Sequence, residues 1–219
     1  MLETLGAEIN SMSKYAIFKN KKGKTLVYYP CAKNANTSAK LFFAKHTNNE
    51  NNFIFISDKK PKYLQKNEFK GIGNLENFLP NYQSFAHVDA DLKCCIIRDP
   101  IKRFISAYKN RILYHKDKEF RNFSIDKIIE KLIQNNFNNK HFLPQSYFLG
   151  KNLNYYNFYS DVSDIKFFEK KVNDFFGRKI FFPKIQTGGN KFEINLSKSH
   201  IKKIKTIYKN DFELYNSKS

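Results

Sequence analysis

Short apolar runs alternate along the chain with longer segments in which apolar residues recur every three or four positions. The runs rich in β-branched and aromatic residues predict strands at TLVYYP (Thr25 to Pro30), FIFIS (Phe53 to Ser57), KCCIIR (Lys93 to Arg98) and KIFFP (Lys179 to Pro183), with a further one at Tyr155 to Tyr159. Helical spacing follows in SAKLFFAKH, directly after the first strand and a small polar CAKNAN turn. The stretch from Lys59 to Asn81, punctuated by Gly and Pro, reads as a loop with at most one short helix.

Start and stop signals sharpen several of these elements. After the strand at Lys93 to Arg98, Asp99 is placed to cap a helix and Pro100 suits its first position; Ile101, Phe104, Ile105, Tyr108 and Ile112 then form one apolar face. Ser124 opens a helix predicted to reach Phe137, Gly177 closes one over Asp164 to Phe176, and a last helix is predicted over Leu196 to Tyr208. Strands that alternate with helices imply an α/β fold of three layers, a central mainly parallel sheet flanked by helices, with ligands bound at the carboxyl ends of the strands. No internal repeat or linker divides residues 1–219, so a single domain is expected.

Charge narrows the class of partner without choosing it. A formal net charge of +19 steers phosphate, sulfate or carboxylate-bearing partners toward the protein, and nucleic acids, acidic glycans and adenine nucleotides all qualify. Part of that charge reflects a general drift toward Lys and Asn, visible in NNENN (Asn48 to Asn52) and QNNFNNK (Gln134 to Lys140). The three cysteines, Cys31, Cys94 and Cys95, lack the spacing of a disulfide framework and suit a reducing compartment. No apolar stretch approaches the roughly 20 residues of a membrane span, and the N-terminus has no signal-peptide core, so a cytoplasmic protein without stable membrane insertion is expected.

Two segments carry the chemistry. In YYPCAKNANTSAK (Tyr28 to Lys40) a loop leaves a strand and enters a helix, which presents backbone N–H groups and a positive helix end to an anion while Lys33 adds a mobile charge. A nucleotide-kinase loop would read GxxxxGK[ST]; here both glycines are missing and the lysine precedes the hydroxyl residues by four positions. In CCIIRDPIKRFISAYKNR (Cys94 to Arg111), Arg98 ends a strand and Ser106 lies on the following helix off its apolar face, so both can converge on a second anion. Taken alone, either segment also reads as an ordinary strand-to-helix turn with a surface ion pair.

Taken together, Pro30, Lys33 and Thr37-Ser38 followed by RDPxxRxxSAY resemble the sulfotransferases that use 3′-phosphoadenosine 5′-phosphosulfate (PAPS), and within them the carbohydrate branch with uronyl 2-O- and chondroitin-type enzymes. The resemblance implies a P-loop-like fold in which Lys33, Asn34, Ala35, Asn36, Thr37 and Ser38 bind the 5′-phosphosulfate. It likewise implies that Arg98 and Ser106 bind the 3′-phosphate, and that adenosine 3′,5′-bisphosphate (PAP) is the product. One departure is plain: Cys31-Ala32 separates Pro30 from Lys33, where the family has proline and lysine adjacent.

Sulfuryl transfer asks for a base at the acceptor hydroxyl and a cation at the departing phosphate. Lys33 can be the cation. His87, in SFAHVDADLK, resembles the histidine that serves as catalytic base in uronyl 2-O-sulfotransferases, with Asp89 and Asp91 as nearby alternatives. His141, in KHFLPQSYFLG, is its rival and is assigned to the substrate pocket. Gly188 and Gly189, in the loop Gln186 to Lys191, allow backbone to approach the nucleotide. No metal is expected, since the five histidines are scattered and no CxxC or HExxH occurs. The acceptor is expected to be a hydroxyl on an acidic glycan or saccharide; the oligomeric state is left open. Two other readings compete with the sulfotransferase: a P-loop-type kinase and a basic nucleic-acid-binding module.

Overall fold

The computed structural model describes residues 15–48, 53–55, 63–65, 89–134, 137, 139–185 and 192–218. Its central sheet contains β1 (Ala16–Lys19), β2 (Thr25–Tyr29), β5 (Leu92–Ile97) and β6 (Phe158–Asp161) in the order β1-β2-β5-β6. β2, β5 and β6 run parallel, and β1 is an antiparallel edge strand. The β1–β2 hairpin closes on Asn20, whose side chain accepts from the Lys22 and Lys24 amides, and on Gly23 at φ 77°.

Alternation along β2 and β5 sends their side chains into two different cores, and this is what makes the fold three-layered. Leu26, Tyr28, Cys94 and Ile96 pack on one face with α1 (Asn36–His46) and α5 (Ile165–Phe176), through Phe42, Phe43, Phe168 and Val172. Val27, Tyr29, Cys95 and Ile97 bury the other face with α4 (Gln145–Leu149) and Leu214, through Phe148 and Leu149. α2 (Pro100–Tyr108) runs on into a π-helical segment, Lys109–Tyr114. With α3 (Ile125–Ile133) and α6 (Lys198–Ile207), α2 encloses a third cluster built on Phe104, Ile128, Phe142, Ile204 and Tyr208. α7 (Lys209–Asn216) completes the seven helices of the described residues.

The caps expected at Asp99 and Ser124 are made: Asp99 accepts from the Lys102 amide at 2.8 Å and Ser124 from the Lys127 amide at 3.2 Å. Gly177 closes α5 at φ 62°. Other expectations are corrected. Phe53–Phe55 forms a strand, β3, but pairs with β4 (Tyr63–Gln65) in a separate two-stranded sheet, and β4 falls where only a loop was predicted. The strand expected at Tyr155 begins at Phe158, because Leu153–Tyr155 takes a 3-10 turn. Lys179 to Pro183 is not a strand: the segment crosses the outside of α1 and α5, packing Phe182 on Phe42 and Phe168 and leaving Phe181 70% exposed. The helix from Ser124 stops at Ile133, and the last predicted helix is two, broken at Tyr208.

One core residue ties stability to pH. His46 is 4% exposed and stacks on Phe176 with ring centroids 4.6 Å apart; burial, then the Arg178 charge, push its imidazole down to about 4. Because the folded value lies below the unfolded one, this contribution is complete above pH 6.5 and is lost as pH falls toward 4, by about 3 kcal/mol. Urea unfolding at pH 7 and pH 4.5 should show His46→Leu losing markedly less stability across that interval than the wild type.

Candidate active site

Two loops meet at the carboxyl ends of β2 and β5. The first, Pro30 to Ala35, takes an unusual path: Lys33 and Ala35 both adopt the left-handed region, at φ 71° and 54°. Such positions cost non-glycine residues of order 1–3 kcal/mol each and persist where surrounding contacts fix them. Here the contacts are identifiable. Arg103, 2% exposed, donates through Nε to the Ala32 carbonyl at 3.1 Å, and Arg98 donates through Nη1 to the Lys33 carbonyl at 2.9 Å. Asn34 is fully buried and donates to the Ile96 carbonyl at 2.8 Å and to Gln145 Oε1 at 3.0 Å. Its own N–H bonds the Cys31 carbonyl at 3.3 Å, so Asn34 shapes the loop from inside. The inserted Cys31-Ala32 pair is absorbed in this turn, with Cys31 buried and its thiol pushed up to about 12 by burial.

The loop delivers the chain into α1, whose first turn has no capping side chain. Asn36, Thr37 and Ser38 therefore stand at a positive helix end, and the Asn36 Oδ1 is buried without a hydrogen-bond partner. Ser38 Oγ accepts from the Ile185 amide at 3.4 Å, which brings the residue just before Gln186 to the start of α1. Gly188 and Gly189 themselves lie outside the described residues, as does His87.

The second motif supplies cations to the same place. Lys33 Nζ donates to Asn110 Oδ1 in the π-helical segment that continues α2, and π-helical turns commonly accompany functional sites. Burial, then the charges of Arg111, Arg98 and Arg103, push the Lys33 ammonium down to about 7. Arg111 is held by Asp117, with Nε to Oδ2 at 2.6 Å. Lys33, Arg98 and Arg103 form a positive site that suits an anion, and Arg103 Nη2 is buried without a partner. Ser106 lies half-buried on α2, between Arg103 and Lys109.

His141 belongs to this cluster. Its main-chain N–H donates to Asn139 Oδ1 at 3.0 Å, and its Nδ1 is buried without a partner. Burial and then the Lys33 charge hold the imidazole well below its ordinary value, so the ring is neutral and its protonation is opposed by the surrounding cations. Asp91 does not belong here. Its carboxylate accepts from Thr25 N at 2.7 Å and Thr25 Oγ1 at 2.8 Å, at the amino ends of β2 and β5 and so at the far edge of the sheet. Asp89 precedes that same edge and is exposed.

A model of the Sulfotransferase family matches residues 17–217, a span that contains both loops. The chain belongs to the sulfotransferase family. No curated protein and no solved structure matches it. Membership decides the reaction class: this sulfotransferase is a transferase that moves a sulfuryl group to a hydroxyl-bearing acceptor, and the kinase and nucleic-acid readings fall away. The family in general takes its sulfuryl group from PAPS. Among the described residues no cluster of side chains suits a metal ion, and no helix is long and apolar enough to cross a membrane.

Sequence reading missed Gln145, Asp211 and Asn110 and the buried position of Arg103. A signal was present for Arg103, whose three-residue spacing from Pro100 turns it back toward the sheet; for Gln145 and Asp211 there was none.

Proposed function

We propose that this sulfotransferase uses PAPS as donor and sulfates a hydroxyl on an acidic carbohydrate, by in-line displacement without a covalent enzyme intermediate. The observation that carries the donor assignment is the junction of the two motifs: the guanidinium of Arg98 bonds the carbonyl of Lys33, so the cation for one phosphate is held against the loop for the other. The residues present fit a nucleotide with two anionic ends. Lys33, Ala35, Asn36, Thr37 and Ser38, with Asn34 fixing the backbone, hold the 5′ end; Arg98 and Ser106 hold the 3′-phosphate; and Gly188 and Gly189 permit a close backbone approach to the nucleotide. When bound, PAPS supplies the sulfuryl group. Lys33 neutralises charge that grows on the departing phosphate, and a histidine takes the acceptor proton. That histidine is His87 by resemblance. The second reading is His141, favoured by its place beside Lys33 and its unpartnered Nδ1. The reaction runs in the cytoplasm, a setting that the three free, buried cysteines suit.

Thermal-shift titration tests the donor reading: adenosine 3′,5′-bisphosphate should stabilise the protein, with little effect from ATP–Mg or an oligonucleotide. Arg98→Ala should weaken the bisphosphate more than adenosine 5′-phosphosulfate, because a lost charge-assisted contact costs about 1.5–3 kcal/mol. Equal weakening of the two in calorimetry would sink the assignment of Arg98.

Support for an acidic acceptor comes from the outer face of α6 and α7. Lys198, Lys202, Lys205 and Lys209 line a groove of about 560 Å³ with Ile201 and Thr206. A row of this kind attracts a polyanionic chain through an interaction that salt screens, since the screening length falls from about 10 Å at 0.1 M to about 3 Å at 1 M. Apparent affinity for an acidic polysaccharide acceptor should fall steeply with salt and should fall further in Lys202→Ser/Lys205→Ser. Affinity for a small neutral alcohol should barely change.

A further inference from the structure

Gln145 is fully buried at the first residue of α4, and its amide joins both motifs at once. Its Oε1 accepts from Asn34 Nδ2 at 3.0 Å and from the Arg98 amide at 3.2 Å, while its Nε2 donates to the Arg98 carbonyl at 2.9 Å. The backbone of Gln145 is fixed in turn from α7. Asp211, also fully buried, accepts from the Gln145 amide at 2.7 Å and from the Ser146 amide at 2.8 Å. A carboxylate from one helix thus caps the start of another, which carries the clamp. Every polar atom of the Gln145 side chain is spent on the first loop or on the end of β5.

We infer that Gln145 is a positioning residue that sets the spacing between the 5′-phosphosulfate loop and the 3′-phosphate arginine, and thereby the enzyme's preference for a 3′-phosphorylated donor. The inference rests on the proposed donor site. Two fixed anion sites can recognise one rigid ligand only if the distance between them is fixed, and here one primary amide spans the gap with three hydrogen bonds. Arg98 is held by this amide at both its N–H and its carbonyl, so the direction in which its guanidinium leaves the strand depends on Gln145. Asp211 acts one step further back, through the Gln145 backbone.

Gln145→Asn keeps a primary amide but is one methylene shorter, so it cannot reach both Asn34 and Arg98. In calorimetry it should weaken adenosine 3′,5′-bisphosphate at least tenfold more than adenosine 5′-phosphosulfate. In an Arg98→Ala background the same substitution should weaken the two nucleotides equally, within about threefold, because Gln145 reaches the 3′-phosphate only through Arg98. If Gln145→Asn does not fold, Gln145→Glu keeps both accepted bonds and is put through the same cycle. Equal weakening of both nucleotides with Arg98 in place overturns the proposal. A preference between the two nucleotides that persists in the Arg98→Ala background overturns it too, since it would mark an effect on the 3′-phosphate that does not pass through Arg98. Wild-type protein that binds neither nucleotide would overturn the donor reading and this clamp together, whereas normal wild-type binding with an unaltered ratio in the variants overturns the clamp alone.

Discussion

Replacing Lys33 with alanine is expected to lower turnover about 10²–10³-fold, the cost of removing one preorganised charge from the point where negative charge develops. The site explains why this residue in particular carries so much. Lys33 is the mobile cation of the first loop, and its ammonium is set by Asn110 inside a ring of guanidinium groups. Without a ligand its ammonium sits at about 7, so it is charged below neutral pH and mostly neutral at pH 8. A bound phosphate favours the charged form and raises that value. Binding at pH 8 therefore draws a proton from solution, and affinity for adenosine 3′,5′-bisphosphate should fall as pH rises through 7 toward 9. Calorimetry in two buffers of different ionisation enthalpy checks this: the wild type should take up close to one proton at pH 8, and Lys33→Arg should take up almost none. Uptake that is unchanged in Lys33→Arg would assign the titration to another group.

The second large effect concerns the base. His87→Ala should reduce turnover by roughly 10²–10⁴-fold and leave bisphosphate affinity nearly unchanged, since a general base acts on the acceptor proton and not on the nucleotide. His141→Ala should cost less in turnover. Its effect should also reach the nucleotide, because the His141 ring lies beside Lys33 and shares its electrostatic surroundings. An acceptor assay that ranks the two variants the other way, with His141→Ala the more severe and bisphosphate affinity intact, would move the base to His141.

The fold was legible wherever a local signal and the tertiary demand agreed. TLVYY and LKCCII are apolar on both faces because both faces are covered, and Asp99-Pro100 starts its helix where the capping chemistry requires. KIFFP carried the same strand signal and failed: its Phe182 packs on Phe42 and Phe168 over α1 and α5 as irregular chain, while Phe181 stays exposed. β1 was unread because four residues give too little periodicity, and only the hairpin at Asn20 and Gly23 lays it against β2.

The same division runs through the site. The order of residues alone determined that a lysine loop follows one strand and an arginine ends another, because phosphate-binding chemistry is local: a strand end, a turn and a helix start lie within about ten residues. The two motifs and their order pointed to sulfotransferases, and the family match over residues 17–217 decided the reaction class. Only the tertiary structure decided which cations share one anion site, that Asp91 stands at the opposite end of the sheet, and that Asn34 faces inward. It alone disclosed Gln145 and Asp211, which are 66 residues apart and marked by no local pattern. The reason is physical. Burial of a polar side chain is tolerated only where all its partners converge, and here those partners come from β2, β5, α4 and α7, whose meeting is fixed by packing across the sheet and not by neighbours in the chain.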